Sequence, residues 1–102
     1  MLKDLIGQYA MIRTYSAGVF AGTIEDIDST SGKIVRVKNA RRIWEWEGAA
    51  SLSELATRGT SNPSGCRFPA EVPFVVLTEV IEILPISDKA KLTIENVDVW
   101  SE

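Results

Sequence analysis

Between Asn39 and Ala56 the chain reads Asn-Ala-Arg-Arg-Ile-Trp-Glu-Trp-Glu-Gly-Ala-Ala-Ser-Leu-Ser-Glu-Leu-Ala, and this stretch holds two of the three tryptophans. A guanidinium pairs with phosphate through two parallel hydrogen bonds, and an indole ring stacks on a flat base. Together they recognise a planar anion rather than break a bond. Extended from Ala40 to Glu47, the segment places Arg42, Trp44 and Trp46 on one face and Arg41, Ile43, Glu45 and Glu47 on the other. After a Gly-Ala-Ala turn comes Ser51, whose hydroxyl and following helix amides can meet anionic oxygen. The candidate ligand site is therefore Arg42, Trp44 and Trp46, with Arg41, Tyr15, Asn39 and Ser51 as neighbours. In it Arg41 or Arg42 neutralises phosphate, and Trp44, Trp46 or Tyr15 stacks on a base. A purely structural account competes: both tryptophans cover the sheet as core, and Arg42 lies over them.

Catalysis is not expected. The chain has no histidine, so Cys66, its single cysteine, lacks that base even with Arg67 beside it and reads as a loop or core residue. Glu25, Asp26 and Asp28, or Glu45 and Glu47, fit exposed strand and turn positions, and neither a phosphate loop nor metal-ligand spacing is present. No metal or cofactor is implied.

The net charge of -3 argues against binding a long nucleic acid by bulk electrostatics. Lys33, Arg36, Lys38, Arg41 and Arg42 nevertheless form a local basic block, suited to a small anion or, more plainly, to the solvated outer faces of strands. One cysteine excludes an internal disulfide, and the sequence has no evident secretory or membrane-spanning run, so the cytoplasm of a cell is the expected location.

The elements that must position these residues read as mainly β. A length of 102 residues, with 45% hydrophobic and 25% charged, fits one folded domain over residues 1–102. Met1 to Ile6 reads as a short helical turn ended by Gly7. Strands are expected at Gln8 to Tyr15 and Val19 to Asp28, joined by Ser16-Ala17-Gly18, with Gly22 at a bulge or bend that curls the sheet. Lys33 to Lys38, closed by Asn39, is a third strand with Val35 and Val37 inward, and Ala40 to Glu47 a fourth. Ser51-Leu-Ser-Glu54 has capping-box spacing and opens a short helix stopped by Gly59. Residues 60–73 form a long loop. Phe74 to Leu77 and Val80 to Leu84 are apolar core strands, and Ser87 caps a last helix running to about Asn96. Val97, Val99 and Trp100 make an apolar tail that folds back over the sheet or packs on a neighbouring subunit, and with three tryptophans in so small a domain a homo-oligomer is expected.

The order of elements is similar to that of small SH3-like and Sm-like barrels, through Ile12-Arg-Thr-Tyr-Ser-Ala-Gly-Val-Phe-Ala-Gly-Thr-Ile, Ile34-Val-Arg-Val-Lys-Asn and Val76-Leu-Thr-Glu-Val-Ile-Glu-Ile. The expected fold is such a barrel, or a curled antiparallel sheet, with one inserted short helix and a C-terminal helix. The segment from Trp44 to Pro73 departs from the Sm-like pattern. Through Arg13-Thr-Tyr-Ser-Ala-Gly-Val and Asn39-Ala-Arg-Arg-Ile-Trp-Glu-Trp-Glu-Gly-Ala-Ala-Ser-Leu the chain also resembles a family of small phage and prophage proteins, which implies an accessory role in an infected host cell. The function expected is non-enzymatic capture of a small nucleotide-derived signal of host antiviral defence. The alternative is inhibition of a host protein by direct contact, for which Trp, Tyr and Arg are equally suitable anchors.

Overall fold

The computed structural model describes residues 2–101. Strands β1 (Tyr9–Thr14), β2 (Val19–Ile27), β3 (Val35–Arg42), β4 (Val72–Leu77) and β5 (Val80–Pro85) form one antiparallel sheet in the order β4-β3-β2-β1-β5. Helix α1 (Leu52–Arg58) is inserted between β3 and β4, and α2 (Asp88–Glu95) follows β5. This is the curled sheet with two helices that the β-branched runs and turn spacing lead one to expect. Leu2–Leu5 forms the N-terminal turn as a 3-10 helix; Met1, which begins the expected turn, lies outside the described residues.

The curl has a local cause. In the β2–β3 pairing Thr23 faces Lys38 and Ala21 faces Arg41, so Gly22 stands opposite two residues, Asn39 and Ala40. Asn39 takes the extra residue in the left-handed region, with φ 51, which asparagine tolerates better than most side chains. A Cβ on Gly22 would lie 2.6 Å from Val37 Cγ1 and 2.9 Å from the Lys38 carbonyl oxygen. The absence of a side chain there lets the two strands close together at the bend.

Each face of the bent sheet buries a separate core. The inner one gathers Ala10, Ile12, Phe20, Ile24, Val35, Val37, Ala40 and Leu77, with Leu2 and Leu5 packed against it. The outer one joins Met11 and Ala21 of the sheet to Ile43, Leu55, Phe68, Ile94 and Val97 under the two helices. Alternation along β1 thus yields two apolar faces, as expected where a sheet is covered on both sides.

Two expectations need correction. Asn39 does not end a strand: it is a bulge inside β3, which continues to Arg42, and residues 43–47 form no strand beyond one isolated bridge between Glu45 and Arg67. The change follows from the left-handed Asn39, which lets the chain keep pairing with β2 across the bend. Second, β4 is not all core. It is an edge strand, and its Val72, Phe74 and Val76 are about half exposed, as is Ile81 on the opposite edge strand. The C-terminal tail folds back within the chain: Trp100 N donates to Phe68 O, Val99 bridges Phe68, and Val97 is buried in the outer core, while Val99 stays more than half exposed.

Candidate functional site

At the end of β3, Arg42 points away from the helices. Its Nη1 donates to the Ala17 carbonyl in the β1–β2 turn, and its guanidinium sits 4.3 Å from the centre of the Phe20 ring. The turn is itself fixed: Thr14 Oγ1 donates to Gly18 O and accepts from Ala17 N, while Gly18 takes φ 93. Arg42 is thereby held in place at a partly exposed position, the condition for a cation that meets a ligand without first losing side-chain freedom.

The next residues leave the sheet. Ile43 N donates to Val19 O and its side chain enters the outer core, which turns Trp44 outward to 62% exposure. Trp46 swings back and is half-buried against that core. What holds this irregular segment is the long loop. Glu45 bridges Arg67 through the backbone and through a 3.3 Å ion pair. Thr60 Oγ1 donates to Glu47 O, and Asn62 Nδ2 donates to the Glu47 carboxylate. Gly48, at φ 79, is packed against the backbone amides of Ser61 and Asn62. Buried Cys66 places its sulfur 3.6 Å from Glu47 O, so it serves this same clamp.

Between turn and segment lies a groove of about 480 Å³ lined by Ser16, Ala17, Gly18, Val19, Arg42, Ile43, Trp44 and Trp46. Three of the expected site residues, Arg42, Trp44 and Trp46, meet there. Tyr15 adjoins the turn and is 78% exposed, but it does not line the groove.

The remaining expected residues are elsewhere. Ser51 is the N-cap of α1: its Oγ accepts from Glu54 N, and Glu54 Oε2 accepts from Ala50 N. The Ser51 hydroxyl and the Glu54 amide are thus engaged with each other at the helix start, and Ser51 does not line the groove. Arg41 does not act beside Arg42 either. It projects to the opposite face, is 7% exposed, and donates from Nε to Pro69 O, from Nη1 to Ile94 O and from Nη2 to Phe68 O. Burial lowers its pKa, while nearby Tyr9, Glu71 and Asp98 favour its charge. Arg41 and Asn39 line a second cavity of about 410 Å³ with Tyr9, Thr23, Glu71, Lys91, Glu95, Val97 and Val99. There burial, then Glu95 and Glu71, push the Tyr9 phenol up to about 12, against the pull of Arg41.

Sequence reasoning missed Ala17 and the turn around it as groove wall, and Tyr9, Glu71 and Lys91 in the second cavity. Ser16-Ala17-Gly18 is recognisable as a turn, but nothing local brings residue 17 to residue 42. Among the described residues no cluster of three or more His, Cys, Asp or Glu side chains is arranged to hold a metal ion. No helix among them is long and apolar enough to cross a membrane.

Residues 7–94 match the model of a domain of unknown function, DUF6948. Comparison with curated protein sequences gives no match. Among solved structures, a heptameric archaeal Sm protein aligns with a TM-score of 0.55 at 15% identity, over 84% of this chain and 96% of that one. That likeness is one of fold, and it agrees with the order of elements read from the sequence.

Proposed function

We propose that this chain, which belongs to the DUF6948 family, is a non-enzymatic binding protein that captures a small planar anion, most concretely a nucleotide-derived signal. The observation that supports this reading is the groove in which a pinned guanidinium, Arg42, is placed beside an exposed indole, Trp44, and a half-buried one, Trp46. Arg42 contributes charge and paired hydrogen bonds to phosphate, and Trp44 a face for the base, worth on the order of 1 to 3 kcal/mol for one stacked base. Neither a histidine nor a cysteine lines the groove, and its one side-chain hydroxyl, Ser16 Oγ, donates to Glu79 Oε1 in the exposed turn; on this reading the ligand leaves unchanged. In the setting implied by the phage-protein motifs, such capture removes a signal of host defence from the host cytoplasm.

The same proposal includes a homo-oligomer. The outer edges of β4 and β5 are unpaired within the sheet, and β4 bears a half-exposed apolar row of Val72, Phe74 and Val76. An edge of this kind is covered or paired in stable proteins. A head-to-tail pairing of β4 with β5 of the next copy extends the sheet and closes into a ring. The Sm protein of similar fold is a heptamer; the number for this chain is left to measurement.

The test is uptake and release. Purified protein is incubated with an extract containing nucleotide signals, separated by filtration and heated. Release of an intact nucleotide supports capture, a chemically altered one makes the protein an enzyme, and no uptake directs attention to protein contact.

A further inference from the structure

The second cavity gathers side chains of both charge signs around one space. Arg41 is almost fully buried; its hydrogen bonds go to three neutral carbonyls, and its guanidinium lies 5.5 Å from the centre of the Phe68 ring. Among the described residues the ion pairs are Arg13 with Glu82, Arg36 with Glu25 and Arg67 with Glu45, so neither Glu71 nor Asp98, the carboxylates that favour the charge of Arg41, closes on it as an ion pair. Two carboxylates nevertheless line the same space, Glu71 before β4 and Glu95 at the end of α2. Here the opposite charges are held apart around open space. Lys91, one turn before Glu95, adds a second cation, with its Nζ 5.0 Å from the centre of the Tyr9 ring. The titratable lining is thus two cations, two carboxylates and a phenol, and the hydroxyl of Thr23 and the amide of Asn39 complete its polar part.

A volume of about 410 Å³ is within the range of small-molecule sites. We propose that this cavity binds a small zwitterion bearing a carboxylate and an amine, such as a free amino acid or a short peptide, with the carboxylate toward Arg41 and Lys91 and the ammonium group toward Glu71 and Glu95. A net-neutral lining that carries both signs of charge favours a ligand of the same kind over a simple anion, which the two glutamates repel. Val97 and Val99 give the cavity an apolar wall against which an aliphatic part of the ligand rests. The site is independent of the Arg42 groove, since none of its lining residues is shared with it.

Thermal shift and calorimetry on the full chain test this, with the twenty amino acids and the dipeptide Ala-Ala as probes, alongside their N-acetylated and C-amidated forms. At least one zwitterion binds, and blocking either end weakens it by about tenfold to a hundredfold, the range for losing one charged hydrogen bond. Preference between single amino acids and the dipeptide fixes the spacing of the poles. Glu71→Gln and Glu95→Gln, both at exposed positions, weaken the zwitterion, and Glu95→Gln leaves the melting temperature of the free protein unchanged. No zwitterion binding at millimolar concentration, binding equally strong for blocked and free forms, or binding unaffected by both substitutions overturns the proposal.

Discussion

Arg41 and Arg42 are neighbours in sequence and occupy opposite sides of the sheet. Arg41 ties Phe68, Pro69 and Ile94 together beneath the helices, whereas Arg42 spans to Ala17 across the β1–β2 turn and lies on Phe20. Two adjacent cations therefore have separable consequences when removed.

Arg41→Met retains much of the volume but strands three carbonyls around a side chain that cannot donate. The expected loss is about 3 kcal/mol of folding stability, within the range for removing a buried hydrogen-bonded charge. Urea denaturation checks it. A loss below about 1 kcal/mol would show that water replaces the guanidinium at little cost.

Much of this architecture was legible in the chain, and the reasons are local. Gly22, the Ser16-Ala17-Gly18 turn and the Ser51 and Ser87 caps act through backbone preferences within a few residues, so their positions follow from residue type. The course of residues 39–47 was not legible. Whether Asn39 ends a strand or bulges within it is decided by the partner strand, where Gly22 leaves room. The fate of Arg41 likewise depends on carbonyls at residues 68, 69 and 94, distant in sequence and brought in by the long loop and α2. Of the expected site, Arg42, Trp44 and Trp46 come together, because the first ends β3 and the other two follow it within four residues.

Gly22→Ala tests the bend. The added methyl meets Val37 and the Lys38 carbonyl at distances that ordinary Cβ contacts do not reach, so the strands must separate. A loss of about 2 kcal/mol or more is expected from overpacking of this kind. Wild-type stability in the alanine variant would contradict the role assigned to the glycine.

The Tyr9 phenol, shifted from 10.0 to about 12, makes stability depend on high pH. Above pH 10 the unfolded chain releases this proton while the folded one keeps it, so the unfolded state binds fewer protons and stability falls as pH rises. The fall spans roughly pH 10 to 12 and is absent in Tyr9→Phe. Stability curves of the two proteins that run parallel across this window would rule out the linkage.

Light scattering at micromolar concentration is expected to give a mass above that of one 11.2 kDa chain. Phe74→Glu, at the centre of the exposed β4 row, lowers that mass without unfolding the sheet. A monomeric parent protein removes the oligomer from the account.

The most direct test of capture at the Arg42 groove is calorimetric binding of the nucleotide released in the uptake experiment, measured together with melting temperature for Arg42→Ala, Trp44→Ala and Trp46→Ala. Arg42→Ala is expected to weaken binding by about 1.5 to 3 kcal/mol and to leave the fold intact. Trp44→Ala weakens binding by about 1 to 3 kcal/mol with little change in melting, as its exposed ring implies, and half-buried Trp46→Ala lowers both. Folded Arg42→Ala and Trp44→Ala proteins that bind the nucleotide as tightly as the parent would contradict capture at this groove.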